Sequence, residues 1–305
     1  MWKLLIRLTG IAGILTLLLV AATVLVSGMA PPNNWDVMAY TALKAGSREL
    51  YITDLPRKLT HQVTTYRSLV GGGSWSPDGT SIAFHSAHER GYQIYIFNVY
   101  TRKIERLSQD IGRDHSPAWS PDGKTIAFVS NRSRDYDQIY SMNSDGTGVR
   151  QLTDIEGAKG QPRWSPDGSK ITFHTVLRRV QNLHVLDIES AQVSQLNPEG
   201  ISASFPVWSP EGDQIAFDAY VNGEARGVYV LDLSQGSVVP LTDARIWQTL
   251  PQWSSDGRQI AFLSEPDFAA MGFYNGVYVA DIDQGTIKPL ISFEHKMTAP
   301  VWWPH

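Results

Sequence analysis

Trp75-Ser76-Pro77-Asp78-Gly79, WSPDG, is followed after two residues by Ile82-Ala83-Phe84, and both signatures return along the chain. WSPDG recurs at Trp119–Gly123 and Trp164–Gly168, with WSPEG at Trp208–Gly212 and WSSDG at Trp253–Gly257. The Trp-to-Trp steps are 44, 45, 44 and 45 residues, so the chain is built of repeats. Each copy reads as a tight turn between two strands. Ser suits position i of a type I turn, Pro presets φ at the next position, Asp suits the third, and Gly supplies the positive φ that closes the loop.

The strands around each turn follow in a fixed order. After the turn comes Ile-Ala-Phe, or Ile171-Thr172-Phe173 in one copy. A third strand is marked by Ile94-Tyr95, Ile139-Tyr140, Leu183-His184, Val228-Tyr229 and Val277-Tyr278. A fourth ends at Leu107-Ser108, Leu152-Thr153, Leu196-Asn197, Leu241-Thr242 and Leu290-Ile291. Four short strands in about 45 residues is the pattern of a β-propeller blade. Met38-Ala39-Tyr40, Leu50-Tyr51 and Leu59-Thr60 supply a sixth set of second, third and fourth strands, leaving one inner strand to find. Pro300-Val301-Trp302 matches the Pro-x-Trp of Pro117–Trp119, Pro162–Trp164, Pro206–Trp208 and Pro251–Trp253. The expectation is an all-β, six-bladed propeller over residues 36–305, sealed by a C-terminal strand added to the first blade.

Trp-Ser-Pro-Asp-Gly followed by Ile-Ala-Phe resembles the TolB-type propeller repeat over nearly nine-tenths of the chain. That resemblance implies the propeller fold and protein–protein interaction. Related repeats occur in prolyl-oligopeptidase-type propellers, tricorn-like proteases and oligogalacturonate lyases. The α/β domain that precedes the propeller in TolB has no counterpart here, since only residues 31–35 separate an apolar run from the first strand. No Gly-x-Ser-x-Gly elbow, phosphate loop, dinucleotide fingerprint or His-Glu-x-x-His occurs. No enzymatic constellation and no cofactor are therefore expected.

The apolar run itself covers residues 8–30, without a charge. As a helix it would reach about 30–35 Å, enough to cross a bilayer. Pro31 disfavours signal cleavage after Ala30, and the absence of cysteine rules out a lipoprotein anchor. Lys3 and Arg7 precede the run, and Asp36 is the first charge after it. The positive-inside rule then places residues 1–7 in the cytoplasm and the propeller on the periplasmic side of the cell membrane, behind a single-pass transmembrane helix. With net charge −4 and interspersed signs, no basic field for nucleic acid is present.

Strand direction sorts the loops onto two faces. The Ser-Pro-Asp-Gly turns share one, the turn face. The second-to-third strand loops and the blade links share the other, the top face, which is expected to meet a protein partner. Positions just after Ile-Ala-Phe vary: His85, Val129, His174, Asp218, Leu263, and Thr41 in the first blade. His85, His174 and Asp218 are ligand candidates, because imidazoles with a carboxylate can hold a divalent metal. A metal-dependent, oligogalacturonate-type polysaccharide lyase and a glycan or small-molecule sensor are therefore the alternatives to a binding module. Arg113 and His115 in a link, and Phe268, Met271, Phe273 and Tyr274 in the longest loop, are candidate partner contacts. The repeated Trp75, Trp119, Trp164, Trp208, Trp253 and Trp302 read as packing between blades.

Overall fold

The computed structural model describes residues 37–302, apart from 45, 89–90, 110–111, 134–135, 222–226, 243–246 and 266–273. The described residues form strands and turns, without a helix. None of them therefore forms a helix able to cross a membrane, and the apolar run 8–30 lies outside them.

The inner strands are Val70–Trp75, Asp114–Trp119, Ala158–Trp164, Ile201–Trp208 and Trp247–Trp253. Each pairs antiparallel with a second strand, and Trp always faces the Ile of Ile-Ala-Phe: Trp75 with Ile82, Trp119 with Ile126, Trp164 with Ile171, Trp208 with Ile215, Trp253 with Ile260. In the first blade Trp302 faces Met38 and Val301 faces Ala39. The register is that of the other five blades, so the C-terminal strand closes the ring. Each inner strand lies against the next all the way round.

Closure differs from expectation in one respect. Four blades are separate four-stranded sheets, but the sixth and first fuse into one seven-stranded sheet through a single 16-residue strand, Ile287–Trp302. The third strand of the sixth blade, Tyr274–Asp281, starts early enough for Tyr274 to face Met297 and Gly276 to face Ser292. The stretch that is a link elsewhere is thereby kept in the ladder. In the first blade the fourth strand is Leu59–Gln62, as read from Leu59-Thr60. The counterpart of the Leu107-Ser108 signature, however, is Val63-Thr64. The Leu50 N–H donates to Thr64 Oγ1 (2.9 Å), as Ile94 does to Ser108 Oγ (2.9 Å) and Ile139 to Thr153 Oγ1 (2.9 Å).

The core lies between blades in six layers. Ile126 and Phe128 pack back onto Ala83 and Ile94 of the preceding blade, while Ala127 faces forward onto Ile171 and Phe173. Ile-Ala-Phe thus presents two large residues backward and one small residue forward, so that neighbouring sheets nest. Each Phe stacks or tilts against the aromatic of the third strand, with centroids 5.6 Å apart for Phe84–Tyr95 and 6.2 Å for Phe262–Tyr278. In the turns the Ser76 hydroxyl donates to Asp78 (2.6 Å), and Gly79 adopts φ 67°. Where Glu211 replaces the Asp, the Ser209 hydroxyl reaches Asp213 instead, at 2.8 Å.

Candidate functional site

The top-face end of the inner ring is shaped by a bulge repeated in every blade. In five blades the residue three before the Trp takes a positive φ: Ser116 (53°), Gln161 (52°), Phe205 (54°) and Leu250 (56°), each immediately before Pro-x-Trp, with Gly72 (50°) as the counterpart in the second blade. The register of each inner pair shifts at this point. Outside glycine this backbone region is costly, and a bulge over-determined by two flanking ladders is a place that holds it. The bulge redirects the strand end so that the residue after Ile-Ala-Phe reaches the next blade.

His85 shows the consequence. Its ring lies over Gly71 and Gly72, where an added Cβ at Gly71 would come within 2.6 Å of Nε2. Its Nδ1 accepts from the Ser116 N–H of the next blade at 3.2 Å, which leaves the proton on Nε2. Burial, aided by nearby His115 and Arg48, pushes the imidazole down to about 3 despite a partly exposed edge, so it is neutral at ordinary pH. His174 repeats the packing two blades on: it is 8% exposed, faces Gly160 across the ladder, and stands 5.5 Å from the Phe205 ring. Asp218, fully buried, accepts from Ser204 Oγ at 2.9 Å and from Thr249 Oγ1 of the next blade. The three ligand candidates are therefore placed as staples between blades. Among the described residues, no group of three or more His, Asp or Glu side chains that could hold a metal ion is formed.

Around His85 the structure gathers a polar cluster that the repeat pattern alone did not single out. His115 Nδ1 is 3.1 Å from Ser116 Oγ, and His115 Nε2 is 3.9 Å from Asp137 Oδ2. At that distance the second contact is an ion pair when His115 is protonated, and too long for a hydrogen bond. His115 is the main cause holding the Asp137 carboxyl below its ordinary value, burial opposes it, and Arg113 and Lys159 add to it. Lys159 is only 3% exposed, and its ammonium donates to the carbonyls of Ile155 and Gly157. Burial pushes it down to about 8, against the pull of Asp154, Asp137 and Glu156. Hydroxyl, imidazole and carboxylate stand in series here, with the hydroxyl–imidazole step at hydrogen-bond distance and the imidazole–carboxylate step longer. Asp137 and Lys159 sit where the repeats diverge, in a loop and at a strand start, so no motif marks them.

Arg113 is exposed in its link, with its N–H donating to Asn131 Oδ1 at 2.7 Å. Phe268, Met271 and Phe273 lie outside the described residues, and of Tyr274 only the backbone is described. The repeated tryptophans belong to the layers between blades, and three of them also bond across. The indole N–H groups of Trp164, Trp208 and Trp253 donate to Ala118, Arg163 and Val207 of the preceding blade at 3.2, 3.3 and 3.1 Å. Of Trp302 only the backbone is described.

Solved structures share this architecture. TolB from Acinetobacter baumannii is similar over 94% of this chain and 71% of its own, with a TM-score of 0.77 at 21% identity. A chain of the nidogen/laminin complex is similar over 88% and 97%, with a TM-score of 0.68 at 12% identity. An oligogalacturonate lyase in complex with manganese is similar over 85% and 74%, with a TM-score of 0.61 at 14% identity. At such identities the likeness is one of fold. The family model of the TolB beta propeller domain matches residues 15–161 and 158–305, and with both halves matched and six blades closed in register, the chain belongs to the TolB β-propeller family.

Proposed function

We propose that the protein is a membrane-anchored propeller on the periplasmic side of the cell membrane that binds another protein through its top face. The observation that carries this reading is the contrast between the two ends of the inner ring. Toward the turn face four blades carry the same Trp-Ser-Pro frame, with Trp253-Ser254-Ser255 and Trp302-Trp303-Pro304 as its variants. Toward the top face the cross-strand pairs vary, with Gly–His alone used twice: Gly71–His85, His115–Val129, Gly160–His174, Ser204–Asp218, Thr249–Leu263 and Thr298–Thr41. A rigid disc with one uniform and one individual face suits recognition of a single partner. The family, and the likeness to a chain of the nidogen/laminin complex, support a binding role. The anchor rests on the uncharged run 8–30. The strand Val37–Lys44 runs from the turn face to the top face, which leaves the turn face toward the bilayer.

Two measurements test the reading. The protein should stay with membranes after alkaline carbonate extraction, and its propeller should be digested by protease added to the periplasmic side. Cross-linking in intact cells should yield a partner adduct that Arg113→Glu with His115→Ala abolishes and that Arg258→Glu on the turn face preserves. Deleting 266–274 tests the long loop separately. An adduct unaffected by every top-face change would refute the assignment.

A further inference from the structure

The turn-face end of the central channel opens into a cavity of about 390 Å³, walled, among the described residues, by side chains of five blades. This is within the range of about 300–1,000 Å³ typical of small-ligand pockets. Its wall carries Trp75, Trp119, Trp164, Trp208 and Trp253 with the serines and prolines that follow them. Most of the polar groups there are already engaged. The indole N–H groups of Trp164, Trp208 and Trp253 bond to backbone carbonyls, and the hydroxyls of Ser120, Ser165, Ser209 and Ser254 donate to turn aspartates. What they leave facing the cavity is ring and proline surface interspersed with polar groups, among them those of Ser74, Gln252 and Ser255.

Among the described residues, one charged side chain enters this wall. In four blades the residue before the Trp lines the cavity, and where the others place Ser74, Val207 and Gln252, the fourth blade places Arg163. Its guanidinium donates to its neighbour's carbonyl, Pro162 O, at 3.0 Å, and among the described residues no carboxylate lies within 4.0 Å of it. Burial pushes the group down to about 10, with no carboxylate offsetting that cost. It stays cationic at ordinary pH, and its withdrawal from water strengthens its attraction for an anion.

We propose that this cavity is a binding site for a small organic carboxylate with a flat, apolar body, its anion held by Arg163 and its body by the ring of indoles. A guanidinium takes a carboxylate through two parallel N–H···O bonds, and aromatic walls accept a planar body edge-on or face-on. The single cation selects a monoanion. A phosphate dianion would bring a second charge without a cationic partner among the described residues.

The test is isothermal titration calorimetry of the purified protein with 2-naphthoate, 2-naphthamide and 2-naphthyl phosphate. The acid and the amide have the same shape and differ in charge. Naphthoate should bind saturably at one site, at least about tenfold more tightly than the amide, as expected for a charge-assisted pair. Arg163→Gln should erase that preference, and Arg163→Lys should retain part of it. Near-ultraviolet circular dichroism of each variant checks its packing. Should the Gln variant fail to fold, the acid-to-amide ratio of the wild type and of the Lys variant still decides. Equal binding of acid and amide, tighter binding of the phosphate ester, or undiminished preference in Arg163→Gln would each overturn the proposal.

Discussion

Replacing Gly160 by Ala puts a methyl group where the structure has a histidine ring. A Cβ built there would lie 2.6 Å from both Cε1 and Nε2 of His174. Carbon contacts are comfortable at about 3.5–4.0 Å, so the ring must retreat by about 1 Å. Retreat is resisted, because His174 is buried with Phe205 packed near it. Overpacking of this kind costs about 1–3 kcal/mol. Gly160 does not hold a positive φ, so Ala suits the strand and restricts the unfolded chain, returning about 0.4–1 kcal/mol. The net expectation for Gly160→Ala is a destabilisation of about 1–2 kcal/mol, a fall in Tm of about 2–4 °C for each kcal/mol. His174→Ala has its own cost, but it clears the space, and Gly160→Ala added to it should be neutral or slightly stabilising. Equilibrium denaturation of the four proteins gives the coupling, expected to be at least about 1 kcal/mol. If Gly160→Ala costs the same in both backgrounds to within about 0.5 kcal/mol, the ring and the glycine are not matched and the reasoning fails.

Deleting residues 299–305 removes the Met38–Trp302 and Ala39–Val301 pairs and uncovers Met38 and Ala39, both fully buried, so stability should drop by several kcal/mol. A deletion variant melting at the wild-type temperature would refute the closure. Acid sensitivity follows from His85, held at about 3 in the fold against about 6.5 in the unfolded chain. Its stabilising effect is complete above about pH 6.5 and is lost as pH falls toward 3, by at most about 1.4 kcal/mol per pH unit, with His184 shifted the same way. His85→Asn, which can still accept from the Ser116 N–H, should flatten that loss between pH 6.5 and 4. An unchanged pH profile would mean that His85 takes up its proton in the folded state.

The ring was legible because its determinants are side-chain types at fixed spacing. Trp302 could be placed from Pro300 and Val301 alone, and its partner Met38 from Ala39 and Tyr40. The bulge was not legible, since Ser116, Gln161, Phe205 and Leu250 share no chemical character. They share a backbone angle fixed by the ladders on either side. For the same reason His85, His174 and Asp218 read only as ligand candidates at the top end of their strands, and their contacts with the neighbouring blade were not foreseen. Arg163 occupies the free position of Pro-x-Trp, and the channel it meets is formed by residues from five repeats. The continuous strand Ile287–Trp302 escaped because its link portion is as long as the others and pairs only through the early start of Tyr274–Asp281.

The fused seven-stranded sheet also sets an order of events during biosynthesis. Val37–Lys44 emerges about 260 residues before the strand that covers its inner edge. At about 5–20 residues per second, that edge waits roughly ten to fifty seconds with unpaired N–H and C=O groups. Each later blade can settle on its predecessor as it appears, but the first remains a half-finished sheet until residues 297–302 have been made. A nascent chain stalled at any point before residue 297 therefore offers a sticky strand to its neighbours on the polysome. Chaperones that bind extended segments have their longest opportunity there.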